Sequence, residues 1–484
     1  MAVDIRSPLY ILGALLSVFS LGLLVPAFAD WVDGGPDAAM FLICFLVTVF
    51  AGGMLMAAFR PREKISVTVH QAFVLTALAW IVLTLFAALP FSVASLHISY
   101  TDAFFEAMSA VTTTGSTVLT GLDDMPSGLL LWRSLLQWMG GVGIIVMAVA
   151  ILPFLRIGGM QLFRTESSDR SEKTLPRVSQ ISTAIVVFYL LFSTVVFVLL
   201  WSVGLSFFDA VNHTMTAVST AGFSTRDASV GGLANPAAEY VLALAMLVAG
   251  ATFMTFIQSW RGGSLMLLRD TQIRVYLLVV LVCTAAMTAW RLATSESGFE
   301  EAFRQSLFNV TSIVTTTGFA TADYTTWGAF PIALMLFLTF VGGCTGSTAG
   351  GLKIFRFQIL YQLARVQLNR LTHPHAVIVP RFNKREVSRD VINSVAGFVF
   401  LYFFCFVAIA IGLSLFGLDL ATAVSGSATA LGNVGPGIGE IIGPAGNFQS
   451  LPDGAKWLLS FGMLLGRLEL LTLLVLLMPG FWRA

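Results

Sequence analysis

The chain of 484 residues is 57% hydrophobic and only 11% charged, with 27 Lys and Arg against 26 Asp and Glu. Soluble globular domains carry about 25% charged residues, so the composition excludes one and points to an all-α integral membrane protein. Four widely separated cysteines, Cys44, Cys283, Cys344 and Cys405, form neither a disulfide framework nor a CxxC metal pattern and read as buried, inert thiols.

Apolar runs near 20 residues predict ten full spans, at 8–28, 38–58, 71–95, 129–153, 180–203, 238–259, 274–292, 329–350, 391–417 and 456–480. The first run follows Arg6 and ends in PAFAD, which resembles a signal peptide with an A-x-A site at Ala27–Ala29. It is long for a signal core and another span follows closely, so it reads as an uncleaved span. Four outer segments are too short and too mixed to cross: DAFFEAMSAVTTTGST, DAVNHTMTAVSTAGFST, QSLFNVTSIVTTTGFAT and ATAVSGSATALGNVGPG. The eighth span is interrupted at bilayer depth by GGCTGSTAGG, residues 342–351, half of them Gly. Each Gly costs a helix about 0.8–1 kcal/mol relative to Ala. The basic stretch from Arg356 to Arg389, with His373 and His375, reads either as a docking site for a soluble partner or as a solvated linker. The last span carries Arg467 near its middle. A charge there costs about 2.5–17 kcal/mol unless it faces the interior or a water-filled cavity.

Charge sets the orientation. Of the 27 Lys and Arg, 21 fall on the side of Arg6, Arg60, Arg62, Lys64, Arg156, Lys173, Arg261, Lys353, Arg385 and Arg483, which the positive-inside rule makes cytoplasmic. Both termini are then cytoplasmic. Five fall outside (Arg133, Arg226, Arg291, Arg304 and Lys456), with 17 of the 26 acidic residues. An acidic outer face would concentrate cations, although depletion of positive charge alone would produce the same asymmetry.

The four outer segments align on Gly115, Gly222, Gly318 and Gly435, with Val or Leu four positions earlier and small residues between. The unit of span, short helix, Gly turn and span therefore recurs four times. It divides the chain into a two-span extension, 1–65, and pore repeats at 66–178, 179–273, 274–388 and 389–484. Backbone carbonyls stand exposed at membrane depth only where they line a polar cavity, and four Gly-containing strands can replace a cation's hydration shell. The ion-binding filter is thus expected at Thr113, Thr114, Gly115, Thr220, Ala221, Gly222, Thr316, Thr317, Gly318, Asn433, Val434 and Gly435. The re-entrant pore helices point their negative C-terminal ends inwards.

On TTTGST, STAGFST, TTTGFAT, LGNVGPG, GGCTGSTAGGLKIFR and LLGRLELLTLL, residues 66–484 resemble the Trk/Ktr/HKT superfamily of potassium transporters, most closely its bacterial TrkH branch. The first two spans resemble the N-terminal pair of that branch. The resemblance implies a K⁺-selective pore in the bacterial cytoplasmic (inner) membrane and a homodimer in membrane lipid. It also implies a cytoplasmic nucleotide-binding regulatory subunit of the TrkA type. In the plant branch Ser at the first filter position accompanies Na⁺ transport; Gly115 here favours K⁺. The fourth loop departs from the pattern, with Asn433 and Val434 in place of the Thr-rich approach.

Aligning LFLTFVGGCTG with LLSFGMLLGRL sets Arg467 beside Cys344 in depth. The loop Gly342, Gly343, Cys344, Thr345, Gly346, Ser347, Thr348, Ala349, Gly350 and Gly351 is therefore expected to block the pore. Arg467 would hold it by donating to carbonyls freed by the break, whereas an Arg that only fixes helix packing is the plainer alternative. Glu469 faces another side of a helix and is a poor partner for Arg467. Lys353 and Arg356 serve equally as gate residues or as cytoplasmic anchors. Alternating-access symport coupled to protons or Na⁺ also uses broken helices, but it would concentrate carboxylates near the midplane, where only Glu469 stands. No HExxH, G-x-S-x-G or phosphate-binding loop occurs, so no enzyme activity is expected. Neither is an organic cofactor, a metal other than potassium, or a nucleic-acid partner. A non-transporting sensor or scaffold would leave the four Gly loops without purpose.

Overall fold

A computed structural model describes residues 5–61, 67–150, 178–262, 269–375, 379–383 and 385–483. The expected boundary at 65/66, the end of the 129–153 span and the linker after it, with Arg62, Lys64, Arg156 and Lys173, lie outside the described residues. Among the described residues the chain is helical apart from one two-stranded ribbon, Arg381–Phe382 against Arg385–Glu386. Seven helices are long and apolar enough to cross a membrane: Arg6–Val32, Ala38–Ala58, Val69–Val93, Ser127–Ile145, Gln180–Ser202, Thr271–Thr294 and Arg389–Leu415. Two bent pairs, Pro236–Ala249 with Phe253–Ser259 and Asp453–Arg467 with Leu471–Leu477, and the short helix Ala329–Thr339 occupy the other three expected positions.

The first helix packs into the body. Leu12, Leu16 and Leu23 are buried, Phe19 and Phe41 both meet the Trp132 ring edge-on, and Asp30 accepts from the Asp37 amide at 2.7 Å.

Each repeat folds as a first helix, a pore helix and an inner helix. The pore helices are Tyr100–Val111, Phe207–Val218, Phe299–Val314 and Leu420–Gly432. Ser99, Ser206 and Asp419 cap three of them, accepting from the amides of Asp102, Asp209 and Thr422 and satisfying donors that a helix start leaves open.

The sequence predicts one interrupted inner helix; among the described residues there are three. In the second repeat the carbonyls of Ala249 and Gly250 accept from Thr348 and Cys344 of the 342–351 loop, and the Phe253 amide donates to Gly346. The loop thus takes over hydrogen bonds that would have continued the helix, and the chain bends by 90°. In the fourth repeat the helix stops at Arg467, with Glu469 and Leu470 at φ of 57° and 38°, and the bend is 106°. Arg467 is therefore the last residue of a helix and not the middle of a span. The inner helix of the first repeat runs unbroken from Ser127 to Ala150.

Candidate functional site

All four pore helices end in the same way. The residue two before each Gly takes a left-handed conformation: Thr113 at φ 52°, Thr220 at 50°, Thr316 at 56° and Asn433 at 51°. The next amide reaches back five residues, from Thr114 to Ser109, Ala221 to Thr216, Thr317 to Ser312 and Val434 to Thr429, at 2.8–3.0 Å. This is the Schellman ending, which normally calls on Gly or Asn. Thr at positive φ is a genuine outlier. The fourth loop, irregular in sequence, is regular here because Asn433 adopts the shared turn at little cost.

One residue later each of the four aligned glycines again has positive φ, from 78° at Gly222 to 110° at Gly435. The alternating sign turns successive carbonyls to one side. The missing Cβ leaves room for the neighbouring loop. A Cβ on Gly115 would lie 2.3 Å from the Ala221 oxygen, on Gly222 1.9 Å from Thr317, on Gly318 2.1 Å from Val434, and on Gly435 2.9 Å from Thr114. Each repeat meets the next and the fourth meets the first, so the four loops close a ring. The carbonyls of Thr114, Ala221, Thr317 and Val434 form its wall.

Side chains tie the ring together. Asn433 donates to Thr114 Oγ1 at 3.0 Å, Ser116 donates to the Gly435 oxygen at 2.8 Å, and Thr315 and Thr317 share a hydroxyl bond of 2.8 Å. Beside it, Arg133 pairs with Glu106 at 2.8 Å in full burial and donates to the Ser224 oxygen. One cavity opens where the strands leave the ring, lined by all four glycines with Ser116, Arg133, Arg226 and Asp227.

A second cavity lies on the opposite side, where the pore helices end. It is lined by Ile144, residues of the 342–351 loop, Lys353, Gly466, Arg467 and Glu469. The loop is fastened to three repeats. Thr348 donates to the carbonyl of Val218 at 3.3 Å, the Gly350 amide donates to Thr316 Oγ1 at 2.6 Å, and Arg467 donates to the Thr348 oxygen at 3.0 Å. A Cβ on Gly350 would lie 2.3 Å from the Gly432 oxygen, so the loop presses directly on the base of the ring. Nε and Nη2 of Arg467 have no partner among the described residues, although the side chain is buried. Lys353 donates to the Ala349 carbonyl, and Arg356 pairs with Glu469.

The model of the TrkH family, described as a cation transport protein, matches residues 38–482. The chain belongs to the TrkH family. It is 46% identical over 476 residues to the Trk system potassium uptake protein TrkI of Halomonas elongata, covering 98% of this chain and 96% of that relative. It is 38% identical over 489 residues to the Trk system potassium uptake protein TrkH of Vibrio parahaemolyticus, covering 99% of both. The crystal structure of the potassium transporter TrkH from Vibrio parahaemolyticus superposes with a TM-score of 0.91 at 36% identity, covering 99% of this chain and 100% of that one. This TrkH-family chain is thus a multi-pass membrane transport protein and not an enzyme.

The sequence reading of this TrkH-family chain missed two groups. Arg356 and Glu469 meet only because the last helix breaks after Arg467, which periodicity does not reveal. Arg133 and Gln137 lie four residues apart on an ordinary-looking span. Two strongly polar side chains on one helix face at membrane depth were the available signal.

Proposed function

We propose that this chain is the pore subunit of a potassium uptake system in a bacterial inner membrane, with both termini cytoplasmic. The closed ring carries the reading: four loops from four repeats each set their glycine against a carbonyl of the next loop. Such a ring can replace the hydration shell of a K⁺ ion, and the four converging helix ends add partial negative charge. Thr113, Thr220, Thr316 and Asn433 set the turn, Thr114, Ala221, Thr317 and Val434 supply oxygens, and the glycines set the spacing.

The 342–351 loop with Arg467 and Lys353 forms the gate. It lies under the ring, bonded to three repeats, and the uncommitted donors of Arg467 put positive charge beside the cation's route. The chain works as a homodimer with a nucleotide-binding partner of the TrkA type, whose contact would pull the loop aside. Glu469 is already paired with Arg356, so it offers no unattached carboxylate to a coupling proton or Na⁺. The deciding experiment is reconstitution into liposomes, with K⁺, Rb⁺ and Na⁺ flux measured alone and with the partner. K⁺ flux well above Na⁺ flux, raised by the partner, is the expected result; equal K⁺ and Na⁺ flux overturns the reading. Gly318→Ser is expected to lower the preference for K⁺, and unchanged selectivity would remove that loop from the filter.

A further inference from the structure

The unbroken inner helix of the first repeat holds the filter strand of the second from behind. Arg133, Gln137 and Gly141 are spaced four apart and so share one face of helix Ser127–Ala150. Gly141 touches Ser219 at the end of the second pore helix. Gln137 is fully buried; its Nε2 donates to the Ala221 carbonyl at 2.8 Å and its Oε1 accepts from the Phe223 amide at 3.1 Å. One side-chain amide therefore brackets Gly222. A turn earlier, Arg133 donates to the Ser224 carbonyl at 3.0 Å and is itself fixed by Glu106.

This support exists on one side of the ring. Ala221 O is one of the four ring carbonyls; among the described residues those of Thr114, Thr317 and Val434 accept no side-chain hydrogen bond. The repeats themselves show the asymmetry. Gly141 and Gly250 each lie against the hydroxyl of a tyrosine, Tyr189 and Tyr276, which aligns Gln137 with Met246. Gly140 and Gly466 each meet the carbonyl four residues before a filter Gly, which aligns Gln137 with Met463. Both methionines are fully buried and offer no donor of comparable strength.

We infer that Gln137 is a positioning residue for the filter and a determinant of ion selectivity, which rests on the filter reading above. Selectivity among alkali cations depends on the size of the carbonyl cage and on the number and field strength of its dipoles. Accepting the Gln137 amide commits one lone pair of the Ala221 oxygen, lowers the field it presents to a cation, and stops it leaning inwards. Without the amide that oxygen is free to close on a smaller ion, so Na⁺ gains most from its loss.

The test uses the full-length chain in liposomes, with Na⁺ and K⁺ fluxes and the K⁺ half-saturation read beside the thermal unfolding midpoint. Gln137→Met, which copies the second and fourth repeats, is expected to raise the Na⁺:K⁺ flux ratio by about threefold or more, within what one buried hydrogen bond carries. Met246→Leu, a buried change at the equivalent position, is expected to leave the ratio alone. A shift below about threefold in Gln137→Met overturns the inference, as does an equal shift in Met246→Leu; if the Met variant fails to fold, Gln137→Leu is read against the same threshold. Gly222→Ser in the same vesicles separates the two failures. If it shifts selectivity while the Gln137 variant does not, only the inference falls; if it too leaves selectivity unchanged, the filter reading falls with it.

Discussion

At Thr113, Thr220 and Thr316 a β-branched residue sits in a left-handed conformation, which costs about 1–3 kcal/mol each and persists only where the surroundings over-determine it. Here each Thr is held between the reaching amide of the helix ending and the next loop. The glycines that follow grade the ring, because the room at each is different. Gly222→Ala would drive a Cβ to 1.9 Å from a backbone oxygen, Gly435→Ala only to 2.9 Å. K⁺ flux in liposomes is therefore expected to fall furthest for Gly222→Ala and least for Gly435→Ala, with Gly318 and Gly115 between; equal losses, or the reverse order, would mean that the loops do not limit one another. The glycines were legible in the sequence because they recur at four equivalent places, and the threonines because they recur at three of them. Their closure into a ring was not, since it depends on which loop stands beside which. The alignment set Asn433 in the place of three threonines without the reason it fits there, because what the four share is a backbone angle and not a side chain.

At the scale of the element, the inner helices carry the difference between repeats. GGCTGSTAGG announced its own break through its glycines, whereas the bends after Ala249 and Arg467 have tertiary causes: one helix lends its carbonyls to the loop, and the other ends at a turn held by the Glu469–Arg356 pair. Local composition cannot foretell either. The contact between Arg467 and Thr348 joins the fourth repeat to the loop. A hydrogen bond from a charged group contributes about 1.5–3 kcal/mol, so Arg467→Ala is expected to raise partner-independent K⁺ flux by roughly tenfold or more; unchanged flux would leave the Arg a packing residue. Movement of the loop has its own reporter in Cys344, which is fully buried with its amide bonded to Gly250. In a Cys283→Ala background, which removes the one partly exposed thiol, a membrane-impermeant thiol reagent added on the side of the cavity below the ring is expected to label Cys344 faster under conditions that raise K⁺ flux. Labelling at one rate in both states would place the moving part elsewhere.

Over the whole molecule, charge is sorted so that the face the positive-inside rule assigns to the outside stays negative even where it carries cations. Four of the five cationic residues assigned to that face are held by carboxylates: Arg133 by Glu106, Arg226 by Asp123 and Asp209, Arg304 by Glu239 and Glu300, and Lys456 by Asp102. The fifth, Arg291, stacks 4.3 Å over the Trp327 ring and donates to Ser297. Three of these pairs, Arg133–Glu106, Arg304–Glu239 and Lys456–Asp102, tie pore helices to inner helices, so groups that neutralise the cations also brace the rim of the ring. Of the other acids assigned to that face Asp30 and Asp37 are buried; those that face the solution act at long range, where salt screens them, since the Debye length falls from about 30 Å at 0.01 M to about 8 Å at 0.15 M. A field of this kind raises the local concentration of cations without touching the filter. K⁺ uptake far below saturation is therefore expected to fall several-fold as an impermeant salt is raised from about 10 to about 150 mM, while the maximal rate holds. The two quantities separate because the first reports arrival at the outer cavity and the second passage through ring and gate. A maximal rate that fell in step would place the salt effect on the proposed gate, where Arg467, Lys353 and the Arg356–Glu469 pair are the charges to test next.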